Sequence, residues 1–322
     1  MIFIKSLDHG GYSIHNFQDG TGSAHYSQPK PDGQPGAWKP SCLRSRPNAT
    51  LKPHFWGYHL AYADTVADWF HRENYIAEAR GKIVEGETCV VAEEVRLVRS
   101  LNTTDKHWCD LATHFANAVC PLISALRFPQ DFSKIIEGTF SATIDFLAGN
   151  SVNPKIIDYW KSCIMLVGRN EVDSQASHDW VDNSQAAKYA ALAVASLALL
   201  RRTNDDARLV DASSRHTPLS RLANNPENGL GFLWSRGVRL LDADSDNFRV
   251  AKDVSGYAMK AAKHSMQQRI CNGRGPLPLQ AEWMKHVNPR LHRFAPNATQ
   301  ADKAASGLRC IQSQLVMDIC AP

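Results

Sequence analysis

A basic segment near the C-terminal end is the strongest charge feature of this 322-residue chain. Residues 248–294 contain nine Lys and Arg side chains and only two acids, which gives a local charge of +7. Clustered basic side chains bind the phosphates of nucleic acids or acidic protein surfaces, although a solvated helix face has the same composition. A protein is the expected partner and nucleic acid is the alternative. The candidate partner-binding residues are Lys252, Lys260, Lys263 and Arg269.

Three histidines and one cysteine in the first domain are candidate metal ligands. His54, His59 and His71 follow Cys42, but their spacing is irregular, whereas structural zinc sites use paired ligands at short spacing. The sequence therefore predicts no metal site. None of the eight cysteines forms a C-x-x-C pair, so we expect buried free thiols. A disulfide between Cys310 and Cys320 is the alternative.

Three short segments could together act on a nucleotide: His9-Gly10 after the first predicted strand, Gly57-Tyr58-His59-Leu60 before a short helix, and Glu85-Gly86-Glu87 further on. They resemble parts of the ADP-ribosyltransferases, enzymes that move ADP-ribose from NAD. The resemblance implies that His9 holds the nicotinamide ribose and that Tyr58 or His59 stacks on the nicotinamide. Glu85 or Glu87 would polarise a ribose hydroxyl and stabilise the positive charge of the transition state. Without that resemblance, Glu85-Gly86-Glu87 is simply the tip of a hairpin.

The composition is that of a folded globular protein, with 43% hydrophobic and 21% charged residues. A net charge of +4 is too small to indicate that the whole chain binds nucleic acid or an anionic membrane. The apolar run at the N-terminus ends at Ile4 and is shorter than a secretory signal requires. The most apolar later stretch, residues 186–200, is shorter than the roughly 20 residues of a bilayer span. We therefore expect a cytoplasmic protein without a membrane segment.

The pattern of the first hundred residues predicts a small domain of short strands. Glycine and proline are dense up to residue 56, which excludes long helices there. A short helix is expected at residues 64–70, with Asp64 as its cap. Two strands around the Glu85-Gly86-Glu87 turn form a hairpin. The predicted strands cover residues 2–4, 12–17, 57–60, 74–83 and 88–98.

Beyond residue 102 the apolar spacing changes to three or four, which is typical of helices. This pattern predicts a helical bundle over residues 103–202. Residues 203–247 are polar and irregular, and residues 248–271 return to a helical stripe. We therefore predict an α+β fold, with a small α+β domain at 1–102, the bundle at 103–202, and an irregular then helical basic region at 203–322.

The segment from Gly57-Tyr58-His59-Leu60 through Trp69-Phe70 to Val90–Arg99 resembles an uncharacterised domain of bacterial and phage proteins. That domain has a Gly-aromatic-His segment, a tryptophan-containing helix and two closing strands. The alanine-rich helical region after it is similar to the helical immunity proteins of bacterial toxin systems. The resemblance covers roughly residues 1–200 and implies no catalytic residue.

Our leading hypothesis from the sequence is a non-enzymatic interaction protein of the phage or mobile-element type, immunity- or counter-defence-like, that needs no cofactor. An NAD-dependent enzyme related to the ADP-ribosyltransferases is the first alternative. Binding of nucleic acid through residues 248–294 is the second.

Overall fold

Two compact units make up the chain. The computed structural model describes residues 2–16, 23–44, 48–53, 55–101, 103–125, 130–150, 186, 189–197, 200–202, 205–208 and 247–320. The first unit contains residues 1–104 together with 286–298 and 309–322. The second unit contains residues 105–285 and 299–308. The basic C-terminal region is thus divided between the two units.

The strands of the first unit are β1 Phe3–Leu7, β2 Tyr12–Asn16, β3 Ser23–His25, β4 Tyr58–Tyr62, β5 Glu73–Glu85 and β6 Cys89–Ser100. Four of them form a closed barrel in the order β1-β4-β6-β5. Each strand of the barrel is antiparallel to its neighbours, and β5 and β6 are the longest. Closure of the barrel leaves these strands without an exposed edge. The two short strands β2 and β3 pair with each other outside the barrel.

Aliphatic and tyrosine side chains from alternate strand positions fill the core of this unit. Tyr58, Leu60 and Tyr62 of β4 belong to one buried cluster with Val95 and Leu97 of β6. The backbone of Gly57, with φ +114°, lies so close that a Cβ there would be 2.2 Å from Val91 Cγ1. Only glycine fits at this entry to β4, because both the dihedral angle and the space exclude a side chain.

An extended segment runs along the second half of β6. The backbone amides of Gly36, Lys39 and Cys42 donate to the carbonyls of Leu97, Val95 and Glu93 at 2.8–3.1 Å. On this segment the Trp38 ring contacts two guanidinium groups, with its centroid 4.1 Å from Cζ of Arg80 and 4.8 Å from Cζ of Arg96. These contacts hold the segment against β5 and β6.

The predicted hairpin is confirmed as β5 and β6, and the turn falls at the glycine-containing segment where the sequence placed it. The predicted helix at 64–70 is a 3-10 helix, Ala63–Asp68. The prediction that Asp64 caps it was wrong, because the cap position is Tyr62 and no side chain caps the amides. Asp64 lies in the first turn and forms an ion pair with Arg290.

Helices follow the barrel, as predicted for an α+β fold. They are α1 Asp105–Asn117, α2 Cys120–Ala125, α3 Gln130–Leu147, α4 Asn247–Cys271, α5 Pro278–Met284, α6 Leu291–Phe294 and α7 Gln300–Cys320. Residues 189–196 are also helical, and two short strands cover Arg201–Arg202 and Asp205–Arg208. In the second unit α1 packs on α4, where the Trp108 and Phe248 rings meet edge to face at 6.4 Å.

The seven described cysteines are free thiols. Cys310 and Cys320 are both on α7, and ten residues of helix separate them by about 15 Å, which excludes the disulfide considered from the sequence. Among the described residues, none of the helices has the length and apolarity needed to cross a bilayer.

Candidate functional site

The His9-Gly10-Gly11 loop binds a carboxylate of its own chain. Gly10 and Gly11 have φ of +72° and +80°, so their amides point to one side and donate to the Glu73 carboxylate at 2.8 and 3.1 Å. The Tyr75 hydroxyl donates to the same carboxylate at 2.9 Å. His9 itself is exposed, with Nδ1 3.7 Å from Glu73. Successive amides of this kind form an anion cradle, and here Glu73 occupies it.

Tyr58 and His59 lie on opposite faces of β4, because neighbouring strand residues alternate. The Tyr58 ring is buried in the core, and its hydroxyl donates to the Pro40 carbonyl at 2.9 Å. Burial raises the pKa of Tyr58 to about 12, so the phenol stays protonated at neutral pH. The His59 ring stacks on Trp69, with centroids 6.5 Å apart. Of the two residues, His59 is the one that lines a cavity.

This cavity lies where β1 and β4 separate. The ladder between the two strands contains two residue pairs, the last being Ile4 with Ala61. The cavity has a volume of about 30 Å³, and Ile4, Lys5, Ser6, Ser13, Ile14, His59, Ala61 and Trp69 line it. That volume holds one or two water molecules, whereas pockets for cofactors are roughly tenfold larger.

Glu85 and Glu87, at the turn between β5 and β6, are held by arginines from the C-terminal segments of the same unit. Arg293 forms an ion pair with Glu85, and Arg309 lies 3.7 Å from Glu87. Arg290 donates to the Glu87 backbone carbonyl at 3.3 Å. The two glutamates therefore neutralise arginines of their own chain.

The candidates for NAD chemistry do not form one group. His9 contacts Glu73 at the first residue of β5, whereas Glu85 is the last residue of that strand. Twelve residue steps of a strand that is bulged and closes into the barrel separate these two positions. Tyr58 and His59 lie nearer to Glu85, two strands away across β6. A site that uses both His9 and Glu85 would need a different arrangement of β5.

The basic segment is partly neutralised inside the chain. Within the described residues, ion pairs join Lys263 to Asp302, Lys285 to Glu282, Arg290 to Asp64 and Arg293 to Glu85. Three of these acids lie outside the segment, so they reduce its local charge from +7 to +4.

The candidate partner-binding residues of this segment mostly have contacts within the second unit. Lys263 and Asp302 are 2.8 Å apart. Arg269 donates to the Gly275 carbonyl, and Lys260 Nζ lies 5.2 Å from the centroid of the Tyr189 ring. Lys252 is half-buried on α4. The structure thus places all four on or beside one helix, but they are not a set of free cations.

Three exposed apolar side chains lie on segments that reach the turn between β5 and β6. We call Phe55, Ile83 and Phe294 the hairpin-end patch; they are 62%, 42% and 37% exposed. Pro53, two residues before Phe55, packs against Gly86 of the turn. Ile83 shares a strand face with Glu85, whose partner Arg293 lies over the Phe294 ring, 5.1 Å from its centroid. Sequence patterns missed this patch, because its members are far apart in the chain.

The histidines considered as metal ligands do not meet in the described residues. His71 contacts the Leu7 carbonyl through Nδ1 at 3.2 Å, and His59 stacks on Trp69. His54 lies outside the described residues. Within the part of the chain that the structure describes, three or more His, Cys, Asp or Glu side chains are nowhere grouped to hold a metal ion.

Lys5 is the functional candidate that sequence reasoning missed. Lys5 shares one face of β1 with Phe3 and Leu7, so a lysine on an otherwise apolar strand face was the available signal.

Comparison of the chain with protein-family models, with curated proteins and with solved structures finds no match.

Proposed function

We propose that this chain is a non-enzymatic interaction protein that binds a protein partner through the hairpin-end patch. The observation that carries the proposal is that three exposed large apolar side chains, Phe55, Ile83 and Phe294, belong to segments of the first unit that reach the same turn. Scattered single apolar residues are normal on a protein surface, but grouped ones with a charged rim mark interaction sites. Aromatic side chains dominate the binding energy of such sites.

The charges beside the patch favour an acidic partner. Lys52 Nζ lies 4.4 Å from the centroid of the Phe55 ring. Arg293 and Glu85 neutralise each other. The rim therefore keeps the positive charge of Lys52, which would attract a partner surface that combines apolar anchors with Asp or Glu.

The resemblance to phage and bacterial proteins supports the finer part of the proposal. An immunity- or counter-defence-like protein acts by binding another protein, and a binding patch is what such a role requires. The ADP-ribosyltransferase-like alternative is less well supported, since His9 contacts Glu73 at the start of β5 and Glu85 is the last residue of that strand. The nucleic-acid alternative is less well supported because acids of the chain already offset part of the charge at 248–294.

The test is capture of a partner by three forms of the full-length protein. We expect the wild type to capture a partner protein from a lysate of its source. The Phe55→Ser/Ile83→Ser/Phe294→Ser variant should capture at least tenfold less of that partner. The matched control is Ile270→Ser, which removes a side chain that is 43% exposed in the second unit. Equal capture by the patch variant and the control would contradict the proposal.

Nicotinamide release distinguishes the enzymatic alternative. The purified protein is incubated with NAD, with and without lysate, beside a Glu85→Ala/Glu87→Ala variant. We expect no release. Release that disappears in the variant would overturn the proposal and establish NAD cleavage at this turn.

A further inference from the structure

Lys5 brings a positive charge into the interior of the barrel unit. Only 6% of the residue is exposed, and it is placed between the apolar positions Phe3 and Leu7 of β1. Its amine donates to the His59 carbonyl at 3.0 Å and lies 4.9 Å from the centroid of the Tyr26 ring. No carboxylate of the described residues pairs with this amine. An ammonium group has three N–H donors, so these two contacts leave capacity for another acceptor.

Burial lowers the pKa of Lys5 to about 8, because the charged amine loses its hydration. At neutral pH most molecules therefore keep the charge, and it needs a counter-ion inside the unit. Isolated buried charges are costly, and an anion within reach offsets much of that cost.

The cavity between β1 and β4 is the place where such an anion fits. Lys5 and Ser13 both line it. Of the two serines that line the cavity, Ser6 already donates its hydroxyl to Asn74 Oδ1 at 2.8 Å, so Ser13 is the serine that can donate to an anion. A volume of about 30 Å³ admits one small ion in place of water.

We propose that this cavity is a halide site, in which a chloride ion neutralises Lys5 and accepts a hydrogen bond from Ser13. Chloride bound beside Lys5 stabilises the ammonium form. By thermodynamic reciprocity, chloride raises the pKa of Lys5, and deprotonation of Lys5 releases chloride. The site is independent of the hairpin-end patch.

NMR titration of lysine side chains in the full-length protein tests the proposal. Carbon-13-labelled protein is titrated in chloride and in gluconate at the same ionic strength of about 0.15 M. We expect the pKa of Lys5 to be higher in chloride by about 0.5 or more, which corresponds to a chloride concentration at least twice the dissociation constant. Lys39 is half-buried, bonds the His25 carbonyl and lies 5.8 Å from the centroid of the same Tyr26 ring, so it is the internal comparison and should show a smaller pKa difference between the two salts.

Two variants complete the test. The Lys5→Met variant assigns the resonance and should abolish the excess broadening of the chloride-35 signal that the wild type causes. Ser13→Ala keeps the charge and should reduce the pKa difference between the two salts. An identical Lys5 pKa in chloride and gluconate would mean that water alone fills the cavity and would overturn the proposal.

Discussion

Replacing Arg290 by Ala should loosen the barrel unit, because this side chain joins the C-terminal segment to three parts of the N-terminal segment. Its guanidinium lies 3.5 Å from the centroid of the Tyr62 ring. It also forms an ion pair with Asp64 and donates to the Glu87 carbonyl at 3.3 Å. The Arg290 side chain is only 17% exposed, so little water screens these contacts.

The expected loss is about 2–4 kcal/mol. A cation over an aromatic ring contributes about 0.5–2 kcal/mol, and hydrogen bonds to charged groups contribute about 1.5–3 kcal/mol each. Asp64 is 39% exposed and regains hydration when Arg290 is removed, which keeps the total below the sum of these values. Asn288 retains its own bond to the Glu87 carbonyl at 3.1 Å and limits the loss further.

Hydrogen exchange measured by mass spectrometry on the full-length protein is the assay, because it reports on the unit locally. Exchange of the β6 amides should accelerate roughly 30-fold to 800-fold, the equivalent of 2–4 kcal/mol. The matched control is Arg293→Ala, whose side chain is 68% exposed and whose ion pair with Glu85 contributes about 0–1 kcal/mol. Equal acceleration in the two variants would refute the reasoning that burial makes Arg290 the stronger contact.

Two further predictions concern the barrel. Gly57→Ala should lower the free energy of unfolding by at least about 2 kcal/mol, since its Cβ would overlap Val91. Gly33→Ala is the control in urea denaturation: it also has positive φ, but its Cβ would meet no atom within 4 Å, so a smaller loss of about 1 kcal/mol is expected. Equal losses would show that backbone strain alone decides. Lys5→Met should stabilise the protein at pH 7 and lose this advantage as the pH rises from 8 to 10.5. The folded pKa of about 8 lies below the ordinary 10.5, so the unfolded chain binds more protons in that window and wild-type stability rises relative to the variant by up to about 3 kcal/mol. Urea denaturation at pH 7, 9 and 10 checks this, and a constant difference between the two proteins would contradict it.

Local patterns were enough to predict the elements that depend on neighbouring residues. The hairpin was predicted at residues 74–83 and 88–98 and is found at Glu73–Glu85 and Cys89–Ser100, because alternation and a glycine turn are encoded locally. The helix predicted at 248–271 is Asn247–Cys271 for the same reason. By contrast, the C-terminal region was predicted only as helical in general, and the bounds of α5, α6 and α7 were not predicted.

Contacts between distant segments could not be predicted from one sequence. Nothing local in Arg290 or Arg309 indicates that they pair with Asp64 and Asp68. The basic segment therefore appeared freer for a partner than it is. The burial of Lys5 likewise depends on Tyr26 and on the separation of β1 from β4.

The division of the barrel unit between the two ends of the chain has a consequence during synthesis on the ribosome. Residues 1–104 are made before residues 286–298 and 309–322, which complete the unit. Until then Asp64, Asp68 and the glutamates of the β5–β6 turn lack their arginines. The nascent chain must hold a barrel without these helical segments while some 180 intervening residues are added. A premature stop codon after residue 285 would therefore damage the N-terminal unit, even though its own strands are all present.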